Sequence, residues 1–218
     1  MLEVYSIAEK QGALFMNFGG GGIPLFVNAA TYPIELFLDA RTLRDQAKTH
    51  RNRQNPNIPS PEERVYSRSS IFMAYNFLEC LLIELAQDYI TNGAGVGHSY
   101  APTIDQKLRS RTANISKTAS DWTRNLLRAD VTTTPEFTEF LTITYFRNQL
   151  IHPKLIPVST GDLTQDQLLR RANEEEAAWV LGQICRMATA LYQAFGTGVP
   201  PEVTAEACSV PPIRPPQL

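Results

Sequence analysis

Arg147, Asn148 and His152 fall within one short segment, Arg147-Asn148-Gln149-Leu150-Ile151-His152, and their side-chain types suit the cleavage of a phosphodiester. RNA cut by its own 2′-hydroxyl needs a base for that hydroxyl, an acid for the departing 5′-oxygen, and positive charge beside the phosphorane. Histidine is the side chain that exchanges protons near neutral pH. Arginine stays charged and matches phosphate oxygens in a forked geometry. Such a scheme requires no metal and no other cofactor. One histidine cannot be base and acid at the same moment, but two copies across a symmetric dimer supply both. The same doubling would gather a positive cleft on a chain whose formal charge is −2.

The geometry of these residues depends on where their helix stops. Thr134-Pro135 is an N-cap followed by a first-turn proline, and Phe137, Phe140, Leu141 and Ile143 carry a helix on to Ile151. On an unbroken helix Arg147 and His152 would stand about 140° apart. Pro153 steers the residue before it away from helical dihedrals, so His152 is expected at or just past the helix end, free to swing toward Arg147. The helix dipole there favours an imidazolium, and Asn148, four residues earlier, can hold the ring's orientation.

A long earlier helix is expected from about Glu62 to Ile90, stopped by Asn92-Gly93. Its apolar residues crowd every side between Ile71 and Leu85, as in the middle of a bundle or between two subunits. Ser69, Asn76 and Glu79 form a polar stripe on it. That stripe either faces Arg147 and His152, with Glu79 pairing to Arg147, or is a polar seam on a partly exposed face. Two further helices are expected at about Thr103–Ile115 and Ala119–Ala129. Lys107, Arg109, Arg111, Lys117, Arg124 and Arg128 stand in that stretch against Asp121 alone, a basic segment suited to RNA phosphates or to a solvated face.

The rest of the chain frames these elements. Hydrophobic content of 43% and charged content of 19% are those of a globular domain. Gly19–Gly22 reads as a turn between two short apolar segments, a β-hairpin or an arm. No Lys-Ser/Thr follows to make it a phosphate cradle. Gly93, Gly95 and Gly97 follow a helix and not a strand, which removes the geometry of a dinucleotide loop. A helix over Ile34–Ala47 leads to a proline-broken connection at 48–61. A last helical region starts near Leu163, restarts at Asn173 and ends at Phe195-Gly196. The organisation expected is 1–61 for arm, helix and linker, 62–195 for an all-α bundle, and 196–218 for a mobile proline-rich tail.

Cys80, Cys185 and Cys208 are too few and too scattered for a disulfide framework or a zinc site. Residues 1–10 do not read as a secretory signal, and the apolar run Ile71–Ala86 is too short to span a bilayer. A cytoplasmic protein without a membrane partner is expected. His50 and His98 read as loop residues at the surface, and Trp122 and Trp179 as helix packing.

Tyr145-Phe146-Arg147-Asn148-Gln149-Leu150-Ile151-His152-Pro153 resembles the signature of HEPN domains: arginine, a polar residue, three variable residues, then histidine, late in a helical bundle. The likeness covers 62–195 in architecture and 147–152 in residue identity. It implies a HEPN-like helical bundle acting as a metal-independent ribonuclease, with Arg147 and His152 as the catalytic pair and Asn148 in support at a dimer interface. It further implies a toxin or antiviral effector, whose partners would be RNA, a second copy and an antitoxin or other protein. The toxin group controlled by AMP transfer has a tyrosine two residues after the histidine, where this chain has Lys154. Other HEPN domains bind nucleotide, RNA or protein without catalysis, and that is the alternative reading. In a third, the arm or the tail engages partners and the motif is incidental.

Overall fold

A computed structural model describes residues 9–10, 13–14, 32–52, 58–110, 115–127, 129–151 and 164–209. Among the described residues the chain is all-α apart from a two-residue antiparallel ladder that pairs Glu9 with Leu14 and Lys10 with Ala13. The hairpin expected around Gly19–Gly22 lies outside the described residues.

The bundle is organised around α2, Pro61–Thr91. Ser60 caps it, its Oγ accepting from the Glu63 N–H at 3.0 Å, and Pro61 opens the first turn, where a missing N–H costs nothing. Ile71, Ala74, Leu78, Leu81, Leu82 and Leu85 bury one broad face of α2 in the core, and Phe72, Met73 and Cys80 are partly buried against it. By length and composition alone, α2 is the one described helix that could cross a bilayer, and 56% of its most apolar window is buried inside the protein. It is longer than the run Ile71–Ala86 from which spanning length was judged.

Helix α1, Tyr32–Thr49, lies along α2, with Phe37 against Phe77 at 5.6 Å between ring centroids. The buried Ser70 hydroxyl donates to the Ala40 carbonyl at 2.7 Å, so a polar atom in this seam is satisfied. Leu36, Phe37 and Ala40 share one core with α2. The expected division at 61 therefore separates residues that pack together: α1 belongs to the bundle, because a helix with this apolar stripe needs a partner to bury it.

Helices α3 (Ala101–Ser110) and α4 (Ile115–Leu127) begin earlier than the residue pattern suggests. His98 is part of the reason. Its Nδ1 accepts from the Tyr100 N–H at 3.1 Å just ahead of α3, so it is a half-buried turn residue and not a free surface one. After a single 3-10 turn, α5 runs Pro135–Ile151, the span its cap and proline predict. Thr164 and Gln167 form a reciprocal capping box at α6, Gln165–Arg171. Asn173 then caps α7, Glu174–Ala194. The buried Glu63 carboxylate accepts from the backbone N–H groups of Asn52 and Glu174, at 3.1 and 3.2 Å. It thereby ties a loop and the start of α7 to the first turn of α2. Gly196 takes φ 71°, the left-handed turn that ends α7.

The mobile tail expected from 196 is corrected over α8, Pro201–Ser209. Val203 and Ala207 bury against the core, and Glu206 pairs with Arg44 of α1. Pro200-Pro201 starts this helix instead of breaking it, which counting prolines over the whole stretch obscured. The remaining four prolines lie beyond 209, outside the described residues.

Candidate functional site

Three side chains from two helices meet around Arg147. Tyr75 and Glu79 are one turn apart on α2, and Arg147 projects from the last two turns of α5. The Arg147 guanidinium lies over the Tyr75 ring, its Cζ 4.8 Å from the centroid. Tyr75 is itself fixed from behind by stacking on Phe140 at 5.8 Å, and its hydroxyl hydrogen-bonds the Thr144 side chain. A cation over a ring braced in this way is aimed without a permanent anionic partner.

Arg147 Nη1 donates to Asn148 Oδ1 at 3.1 Å, and Asn148 is exposed. Arg147 Nε is buried and makes no hydrogen bond among the described residues. Burial raises the Glu79 carboxyl above its ordinary range, and the charge of Arg147 pulls it part of the way back. Burial also raises the Tyr75 phenol, against the opposing pull of Thr144 and Arg147. Glu79 thus sits within electrostatic reach of Arg147. The direct hydrogen bond that Arg147 makes among the described residues is to Asn148.

The chemistry open to this cluster is the binding of an anion. A half-buried guanidinium, backed by an aromatic face and flanked by an amide, is of the type that matches phosphate oxygens. His152, expected to serve as base and acid, is the next residue after the end of α5 and lies outside the described residues.

The other sequence-derived residues divide. Glu79 faces Arg147. Asn76 is half-buried beside Tyr75 on α2, with no contact to Arg147 among the described residues. Lys107 and Arg109 lie on α3, while Arg111 and Arg128 fall outside the described residues. Arg124 is committed: its Nε pairs with Asp130 at 2.8 Å and Nη2 donates to Thr132 at 3.2 Å, fixing the turn before α5. Hydrogen bonds from Thr132 and Arg124 hold the exposed Asp130 carboxyl below its ordinary range. Within the described residues, then, the basic segment contributes a structural arginine. No group of three or more His, Cys, Asp or Glu side chains among them is placed to hold a metal ion.

Two features went unread in the sequence. Tyr75 is the platform under Arg147, and its spacing of four from Glu79 on the polar side of α2 was the available signal. The second is Arg171, whose Cζ lies 4.0 Å from the Phe146 centroid and whose Nη2 pairs with Glu176 at 2.7 Å. That contact joins α6 and α7 to α5 beside Arg147, and nothing in local spacing announces it.

Searches against family models, curated proteins and solved structures find no match to this chain.

Proposed function

We propose that this chain is a metal-independent endoribonuclease of HEPN type, cleaving RNA by attack of the 2′-hydroxyl on the adjacent phosphate. The observation that carries the reading is Arg147, aimed by the Tyr75 face and Asn148 with donors left for an anion, at the first position of the Arg-Asn-x3-His motif. In this reading Arg147 neutralises the phosphorane and His152 moves protons between the 2′-hydroxyl, the 5′-oxygen and solvent. A second copy supplies the complementary histidine, so the working unit is a homodimer. Glu79, its carboxyl raised by burial and drawn part of the way back by Arg147, stands near that guanidinium as a second support. A toxin or antiviral effector of the cytoplasm is the biological role that fits, with an antitoxin or another protein as its restraint.

The test is cleavage of a labelled single-stranded RNA in excess chelator, with the product ends identified. Wild type should leave a 2′,3′-cyclic phosphate, while Arg147→Ala and His152→Ala should be slower by at least about a thousandfold, yet melt like folded protein. Undiminished cutting by His152→Ala would refute the mechanism. RNA binding with no turnover in any variant would leave the non-catalytic binding module in its place.

A further inference from the structure

A second feature of the same end of the molecule is a cleft of about 160 Å³ between α2, α5 and α6. Its lining is Arg68 from α2, Leu150 from α5, Gln165, Leu168 and Leu169 from α6, and Ala172 at that helix's end. Leu150 stands one turn beyond Arg147, and Arg68 lies about two turns before Tyr75 on the same side of α2. Leu150 thus places one wall of the cleft a turn along α5 from Arg147. A smaller hollow of about 100 Å³ adjoins it, sharing Leu169 and adding Arg64.

Charge separates this corner from the rest of a slightly acidic chain. Arg170 is paired with Asp166 at 2.9 Å and Arg171 with Glu176 at 2.7 Å. Arg64 and Arg68 donate instead to neutral carbonyls, Arg64 to Pro59 at 2.8 Å and Arg68 to Arg64 at 3.2 Å. Among the described residues, then, neither is in an ion pair. Four residues apart, they rise about 6 Å along α2 and stand as neighbours on one side of its first turns. Leu169, 46% exposed, and Ile58, 47% exposed, lie beside them. An apolar slot next to uncompensated arginines matches a nucleotide, which has an apolar π-face and an anionic backbone.

We infer that this cleft seats one nucleobase of single-stranded RNA beside the phosphate that is cut, with the neighbouring phosphates on Arg64 and Arg68. An apolar cavity of about 150 Å³ takes one benzene ring, so this open-sided cleft has room for a base with its sugar outside. Leu150, Leu168 and Leu169 give the base its apolar contact. Arg68 offers a guanidinium plane for stacking, and the Gln165 amide can read the base edge. Of the basic residues at 107–128, Arg124 is occupied by Asp130. The inference rests on the RNA-cleaving reading but is tested apart from it.

The experiment uses the full chain and a fluorescein-labelled single-stranded RNA with 2′-O-methyl sugars, which binds and cannot be cut. Anisotropy is followed over a series of salt concentrations for wild type, Arg64→Gln/Arg68→Gln and Leu169→Asp. The double variant should bind about tenfold more weakly and lower the salt slope by about 1.4, which is roughly 0.7 for each single-strand phosphate that is no longer neutralised. Leu169→Asp should weaken binding about fivefold with an unchanged sedimentation coefficient. Wild-type affinity in both variants, or no binding by the wild type itself, overturns the assignment. So does a change in sedimentation by Leu169→Asp without a change in affinity, which would make the cleft a contact between copies. Cleavage of unmodified RNA is scored separately. Binding with this pattern but no cutting sinks the nuclease and keeps the cleft, whereas cutting with indifferent variants does the reverse.

Discussion

Arg147 and Arg171 both lay a guanidinium over an aromatic ring, at 4.8 Å from the Tyr75 centroid and 4.0 Å from that of Phe146. The rings' surroundings separate them. Arg171 and Glu176 form an ion pair whose side chains are 13% and 7% exposed, and burial pushes the Glu176 carboxyl up to about 7. Burial draws the Arg171 guanidinium down in turn, against the pull of its partner. Arg147 is half-buried, donates to a neutral amide, and has Glu79 as a neighbour in charge only. A stacked arginine neutralised inside the protein joins helices. Arg147, among the described residues, has no ion pair that ties it to another helix in that way.

Breaking the buried pair should give the largest effect on stability. Arg171→Met leaves the Glu176 carboxylate buried without its cation and should cost about 3–5 kcal/mol in denaturant unfolding. Arg171→Met/Glu176→Leu removes both charges and should return to within about 1 kcal/mol of wild type, or exceed it. Arg147→Met should shift stability by about 1 kcal/mol, since it loses one cation–ring contact and Glu79, its neighbour in charge, is only half-buried. Equal costs for the two single variants would erase the distinction between the arginines.

The pH dependence of unfolding should sharpen the same contrast. Glu176 is raised from 4.5 to about 7 in the fold, so between those values the folded state holds more protons than the unfolded chain. Its contribution is therefore full at and below pH 4.5, declines as pH rises to about 7, and is level above that. The decline is on the order of 3 kcal/mol. Urea midpoints measured from pH 5 to 8 should fall in wild type and lose that component in Glu176→Gln. A slope unchanged by the substitution would place the titrating group elsewhere.

How much of this was readable from residues follows the range of the interactions. The spans of α2 and α5 were legible because their signals are local: Pro61 and Pro135 open them, and Asn92 follows the last turn of α2. The approach of Glu79 to Arg147 was legible as one of two alternatives, since a polar stripe on a buried helix needs something to face. Other contacts depend on which helices become neighbours. Arg171 meets Phe146 across the connection between α5 and α6, and Arg44 meets Glu206 across most of the chain. Composition misled at α8, where Val203 and Ala207 outweigh the prolines around them. Arg124 is a similar case, because charge along the sequence does not show that Asp130 folds back onto it.

The smallest expected effect isolates what the Tyr75 platform does. Tyr75→Phe keeps a ring beneath Arg147 and removes the hydroxyl that bonds Thr144. Losing that bond should cost about 1 kcal/mol of stability, the usual net contribution of one neutral hydrogen bond. RNA cleavage should stay within about twofold of wild type, because the ring's quadrupole attracts the guanidinium with or without the phenol. The melting temperature and the cleavage rate are the two readouts, and they are expected to part company, one moving slightly and the other hardly at all. A steep loss of cleavage with an unchanged melt would mean that the hydroxyl itself touches the RNA. Tyr75 would then belong with Arg147 among the groups that meet the phosphate, and the ring would no longer be only a support.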